Sequence, residues 1–206
     1  MTPERNTKIK KIAGRRQLDL TLVLENVHDP HNIGAIMRTC DAVGIPEIYI
    51  IITDERISSS DYLLGHSASS GSKKWVKVHI YKEIQKCFED VRERFGRIVG
   101  TKLGESSQSL YKYSFLEPTA LLFGNESTGL SDEAYEKVDS NMYVPMMGMV
   151  KSLNISVACA ISLYECLRQR NEKGMYTLDN ENSALKEAYL KLHGKSPNQI
   201  SPKWNE

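Results

Sequence analysis

Short apolar, β-branched runs recur along the chain at residues 20–24, 48–53, 75–81, 97–101, 120–123 and 142–145, each bounded by Gly, Pro, Asp or Asn. Helical patterns lie between several of them. The clearest covers residues 82–95, where Ile84, Cys87, Phe88, Val91 and Phe95 follow the three- and four-residue steps of one buried face. Strands alternating with helices predict an α/β fold: a mostly parallel sheet with helices on both faces.

The helix predicted from Ile155 to about Arg170 is different. Its first three turns are apolar on most sides (Ile155, Val157, Ala158, Cys159, Ala160, Ile161, Leu163, Tyr164, Leu167) before it turns basic and polar. A helix with so little polar face needs more than one covering neighbour, such as the sheet and a second subunit. After Gly174 a further helix is predicted at about 182–193, with Leu185, Tyr189 and Leu192 on one side, followed by a polar tail with Pro197 and Pro202.

At 206 residues, 40% hydrophobic and 26% charged, the chain can bury one sizeable core. The expected division is a basic N-terminal extension (1–18), an α/β domain (19–171) and a C-terminal helical extension with a flexible tail (172–206). Net charge is +1, with 27 basic against 26 acidic residues, so the balance alone does not point to nucleic acid. The distribution says more. Arg5, Lys8, Lys10, Lys11, Arg15 and Arg16 precede the first strand, and Lys73, Lys74 and Lys77 surround Trp75. Cys40, Cys87, Cys159 and Cys166 lack the paired spacing of zinc or redox sites and read as buried hydrophobes of a reducing, cytoplasmic compartment. No run approaches the roughly 18 apolar residues of a membrane span.

Candidate chemistry sits where three strands run into Gly- and Asn-containing loops and then helices. In residues 26–45 (NVHDPHNIGAIMRTCDAVGI), Ile33, Ile36, Met37, Cys40 and Val43 form the core stripe of a helix, and Arg38 projects away from it. Gly34 and Ala35 leave the first turn bare, and Asn32 stands where an N-cap belongs. In residues 121–133 (LLFGNESTGLSDE), Gly124 and Gly129 have phosphate-loop spacing, but Leu130 and Ser131 replace its Lys and Ser/Thr, which argues against nucleotide hydrolysis. Glu126 lies just beyond the strand end, where open α/β sheets place ligands. In residues 144–165, Ser152, Leu153 and Asn154 directly precede the apolar helix; capping explains the Ser and Asn as well as chemistry does. Met146, Met147 and Met149 offer a flexible apolar surface for a pocket or for core filling. His28 and His31 have no evident third ligand, so no metal is expected.

In this order, the three segments resemble the signature motifs of the SpoU family of RNA ribose 2'-O-methyltransferases. The likeness extends over roughly residues 14–192, through Gly14 to Thr21, Gly71 to Trp75, Arg168 to Arg170 and Gly174 to Tyr176, and is nearest to members that act on a D-loop guanosine of tRNA. It implies a deep C-terminal trefoil knot, a homodimer, and S-adenosylmethionine held by loop backbone around Thr101, Gly124, Val144, Met146 and Leu153. The polar motif positions fall on Arg38, Asn32, Glu126, Ser152 and Asn154. Arg38 is then the favoured residue for removal of the ribose proton. A guanidinium, whose pKa lies above about 12, is a poor base. Either Arg38 is transiently neutral, or it stays cationic and holds a phosphate while the proton leaves by another route.

The expected RNA surface comprises Arg15, Arg16, Lys73, Lys74, Arg168 and Arg170 with the basic N-terminus. No DNA or membrane partner is expected. The alternatives are a 2'-O-methyltransferase of ribosomal RNA, a non-catalytic RNA-binding protein of the same fold, and a nucleotide-binding enzyme of other chemistry.

Overall fold

The computed structural model describes residues 2–54, 75–104 and 106–177. Among these, seven strands form one parallel sheet: β1 (Leu20–Glu25), β2 (Glu47–Ile51), β3 (Lys77–Tyr81), β4 (Ile98–Thr101), β5 (Gln108–Ser109), β6 (Thr119–Phe123) and β7 (Ser140–Tyr143). Their order is β3-β2-β1-β6-β4-β7-β5. The helices are α1 (Pro3–Ala13), α2 (Pro30–Val43), α3 (Ile84–Phe95), α4 (Asp132–Glu136) and α5 (Ile155–Glu172).

Period-two geometry sends alternate strand residues to opposite faces, and both faces are covered, which is why the strands read as unbroken apolar runs. On one face Leu20, Leu22, Leu24, Ile48, Ile50, Leu121 and Phe123 meet α2 and α5 through Ile33, Met37, Cys40, Cys159, Leu163 and Cys166. On the other, Val23, Tyr49, Ile51 and Leu122 meet α3 through Cys87, Phe88, Val91 and Phe95. Burial pushes all four cysteine thiols up, so they serve as packing. Because β1 lies between β2 and β6, and α2 and α4 leave the sheet on opposite faces, a crevice opens beyond the carboxyl ends of β1 and β6.

All six sequence-read strands are present, with shifted ends. The strand read at 142–145 is β7 at 140–143, leaving Val144 and Pro145 in a loop, and β3 begins at Lys77 rather than Trp75. The sequence reading missed two-residue β5 and α1, whose N-cap Thr2 accepts from the Arg5 amide. The helix expected at 182–193 and the tail lie outside the described residues. The expected N-terminal extension carries α1 at its start, and Arg16 and Gln17 at its end are already buried.

Candidate active site

The crevice is organised first by asparagines. Directly after β1, Asn26 takes a left-handed φ of 49°, a conformation Asn tolerates better than most side-chain-bearing residues. Its Oδ1 accepts from the Thr53 and Asp54 amides at 2.9 and 3.1 Å, and its Nδ2 donates to Thr53 Oγ1 at 2.8 Å, joining the ends of β1 and β2. Its carbonyl accepts from Asn125 Nδ2 at 2.8 Å, which brings in the loop after β6. Asn125 Oδ1 in turn accepts from the Ser127 and Thr128 amides, while the backbones of Asn125 and Gly129 bond in both directions at 3.0 and 2.9 Å. The turn closes so tightly on β6 that a Cβ at Gly124 would lie 2.2 Å from the Gly129 carbonyl carbon. Only glycine fits there.

This turn delivers Glu126 to α2. Asn32 Nδ2 donates to Glu126 Oε1 at 3.0 Å, and Asn154 Nδ2 donates to Asn32 Oδ1 at 3.1 Å. The three polar loops are thus joined by two side-chain hydrogen bonds, with Asn32 8% exposed at the centre. The cap of α2 is Asp29, not Asn32: Asp29 Oδ1 accepts from the His31 amide at 2.8 Å, Pro30 follows at the first helical position, and Asn32 lies inside the first turn. Asn154 does cap α5, its Oδ1 accepting from the Ser156 amide at 2.9 Å and hydroxyl at 2.6 Å. One side chain therefore both starts the helix and orients Asn32.

Beside the chain of bonds is a cavity of about 440 Å³, within the size range of small-ligand sites, about 300–1,000 Å³. Thr101, Gly124, Val144, Met146 and Leu153, all expected at the cofactor, line it together, as does Ser152. Phe123, Met142, Ile155 and Ala158 add to its apolar lining, and Asn125, Glu126, Ser127 and Thr128 add polar residues. Thr101 spends its hydroxyl on the Leu122 carbonyl at 2.9 Å. The narrow fit at Gly124 and this mixed lining suit an adenosine with a thioether chain. Met147 and Met149 are not part of it; they face solvent, Met149 at 99% exposure.

Arg38 is exposed on α2, six residues beyond Asn32 and so about 9 Å further along the helix, with no hydrogen bond or ion pair among the described residues. Ser152 is likewise exposed. The expected RNA surface divides. Arg15 is exposed; Arg168 is exposed but paired with Glu165 and Glu172 at 2.8 Å each; Lys73 and Lys74 lie outside the described residues. Arg170 belongs to the interior. It is 0% exposed, with Nε donating to the Phe115 carbonyl and the other nitrogens to Asp19 Oδ1 at 2.5 Å, Gln17 Oε1 and the Glu117 carbonyl. Arg16 is also buried, donating to the Ile45 carbonyl at 3.1 Å and Asp41 Oδ1 at 2.5 Å. Neither can meet RNA without leaving the core, so both are removed from that surface.

The sequence reading gave no role to Asn26 and Asn125. Their signal was positional: an Asn stands at or just past the end of two apolar strands, where a side chain that mimics backbone can tie adjacent turns.

A model of the SpoU rRNA methylase family matches residues 19–164, which include all three loops. The chain belongs to the SpoU methylase family. It is 40% identical over 175 residues to the tRNA (guanosine(18)-2'-O)-methyltransferase of Thermus thermophilus, covering 85% of this chain and 88% of that protein. Among solved structures, the TrmH/SpoU tRNA modifying enzyme of A. aeolicus superposes with a TM-score of 0.78 at 33% identity over 96% of this chain and 98% of that one. The SpoU methyltransferase AviRb of Streptomyces viridochromogenes, solved with AdoMet, gives 0.67 at 27% identity over 76% of this chain and 62% of that one.

Proposed function

We propose that this SpoU protein transfers a methyl group from S-adenosylmethionine to a ribose 2'-hydroxyl of tRNA, at the D-loop guanosine 18. The observation that carries the reading is the Glu126–Asn32–Asn154 chain beside a cavity lined by every residue expected at the cofactor. The relatives' substrate supplies its choice of RNA.

When bound, the cofactor supplies an already activated sulfonium methyl, so the protein's task is alignment of the hydroxyl and removal of its proton. Thr101, Gly124, Val144, Met146 and Leu153 hold the cofactor. Glu126 lines both this cavity and a neighbouring one, with Oε1 fixed by Asn32, so its carboxylate is oriented at the boundary where ribose and methyl must meet. Arg38 acts as a cation: exposed and with no carboxylate partner among the described residues, it holds the phosphate next to the target ribose and stabilises developing alkoxide charge. Ser152 and Asn154 position the cofactor side.

Arg15, Arg168 and the basic face of α1 extend the RNA contact in this reading. The apolar residues left exposed on α5, Val157 and Tyr164, with Met147, Met149 and Val150 before it, are covered by a second copy of the chain. The trefoil knot and the homodimer belong to the same reading. So does a cytoplasmic location; none of the helices among the described residues is long and apolar enough to cross a membrane.

The test is tritiated methyl transfer to unmodified tRNA and to ribosomal RNA in parallel, with nuclease mapping of the label. Label at the D-loop guanosine is expected. The family's description names rRNA, and label in ribosomal RNA alone would keep the chemistry and replace the substrate.

A further inference from the structure

The strand that leads into the site ends on a carboxylate. β1 reads LTLVLE and is buried along its whole length, so Glu25, at 1% exposure, stands where the strand calls for an apolar residue. A buried acid costs folding free energy unless hydrogen bonds replace its water. Among the described residues Glu25 makes one such bond: Oε2 accepts from the Ser131 amide at 3.0 Å, while Oε1 is buried without a partner. An acid kept in the interior on half of its bonding capacity is a poor choice for stability alone.

Its partner explains it. Ser131 ends the segment that begins at Asn125, and Asn125 Nδ2 donates to the Asn26 carbonyl at 2.8 Å. Two successive residues at the end of β1, Glu25 and Asn26, therefore hold the two ends of one loop. Between these ties lie Glu126, fixed by Asn32, and Ser127, Thr128 and Gly129, which line the cofactor cavity. Beyond Gly129, Leu130 is buried in the core, and Ser131 goes on to cap α4, its Oγ accepting from the Ala134 amide at 3.1 Å. Because the backbones of Asn125 and Gly129 bond in both directions, the turn moves as one body. A shift at Ser131 is thus carried to Glu126 and to the cavity wall.

The two ties differ in kind. Asn26 offers a backbone oxygen, which any residue at that position would supply, whereas the tie at Ser131 depends on the Glu25 side chain. Glu25 does not line the cavity itself, so whatever it does for the reaction it does through the turn.

We propose that Glu25 is a positioning residue for methyl transfer: by holding the Ser131 amide it fixes the far end of the turn that shapes the cofactor cavity and aims Glu126. The proposal rests on the reading that this cavity takes S-adenosylmethionine. It adds a residue outside the polar positions of the three loops. A displacement of about 1 Å at a reacting group can cost about a hundredfold in rate, which is the scale on which such a tie matters.

The experiment titrates S-adenosylhomocysteine calorimetrically into the full chain, beside thermal melts and single-turnover methylation of tRNA with enzyme in excess. Glu25→Ala removes the acceptor. Its Kd for S-adenosylhomocysteine is expected to rise about tenfold, as befits the loss of one buried hydrogen bond. The rate at saturating cofactor should fall about 10- to 100-fold, with the half-saturating concentration for tRNA unchanged. Glu25→Gln keeps an acceptor oxygen at the same reach and should restore both Kd and rate. Glu25→Asp keeps the carboxylate but withdraws it by one methylene, and it carries the test where the alanine variant does not fold; its Kd should rise as well. A merely structural carboxylate lowers the melting temperature and leaves the Kd and rate of the folded protein constant, and that result would overturn the proposal. So would an aspartate variant with unaltered Kd. If the unaltered protein binds no S-adenosylhomocysteine, the cofactor reading itself fails and takes the proposal with it.

Discussion

Asn32 and Asn154, 122 positions apart, are joined by one side-chain amide hydrogen bond of 3.1 Å. The same Asn154 side chain caps α5 through its oxygen, so its nitrogen and its oxygen serve separable purposes.

That separation gives a test. Asn154→Ala removes both and should cost about 1 kcal/mol for the cap, lowering Tm by roughly 2–4 °C, together with a large loss of methyl transfer. Asn154→Ser restores a capping oxygen but not the amide donor to Asn32. Thermal melts should recover while the rate stays low; recovery of both would reduce Asn154 to a cap.

Arg38→Ala should abolish methyl transfer and leave S-adenosylmethionine affinity intact, as read by calorimetric titration. Arg38→Lys keeps the charge and loses the planar fork, so an intermediate rate is expected. Normal turnover in the alanine variant would remove Arg38 from the mechanism.

Gly124→Ala pushes a methyl group into the backbone of Gly129 and must displace the turn that carries Glu126. Cofactor Kd should rise at least about tenfold, roughly 1.4 kcal/mol, with the turnover number falling further because Glu126 moves as well. An unchanged Kd would show that the turn does not touch the cofactor.

Arg170→Ala leaves Asp19 and the Phe115 and Glu117 carbonyls without their shared, buried partner. A loss of about 1–3 kcal/mol is expected in denaturant unfolding, the range for leaving buried acceptors unpaired, because Asp19 keeps part of its side chain in solvent. Arg15→Ala should instead leave the unfolding midpoint in place and weaken tRNA binding, with a shallower dependence on salt. Exchange of these two phenotypes would refute the division of the basic residues.

At the amino end of β2, burial would raise the Glu47 carboxyl, but hydrogen bonds from His79 at 2.7 Å and from Arg94 outweigh it and lower the pKa from 4.5 to about 2. A depressed carboxylate contributes stability that is fully present above its unfolded pKa and is lost as pH falls through the folded one. Stability should therefore decline between about pH 4.5 and 2. Glu47→Gln should flatten that acid limb, which urea midpoints across the interval would measure.

The sheet was legible because its central strands are buried on both faces, which makes runs such as 20–24 and 120–123 short unbroken apolar stretches bounded by turn residues. Helix α1 was not, since its sequence is dominated by charge and its one clear start signal, Thr2 before Pro3, lies at the extreme N-terminus. In the site, motif order singled out Asn32, Glu126 and Asn154, but only the fold shows them bonded in series. Arg170 marks the limit of reading charge from sequence. A basic residue at the polar end of a helix looks solvated, and nothing local reveals that Asp19 awaits it 151 positions away.

That distance has a consequence during synthesis. Gln17 and Asp19 leave the ribosome long before Arg170, and β1 must wait for β6 on one of its flanks. The nascent chain therefore keeps one edge of β1 open until residues 119–123 have emerged, and leaves Gln17 and Asp19 to water until Arg170 follows, so the final closure is a late event that a chain truncated before Arg170 cannot complete.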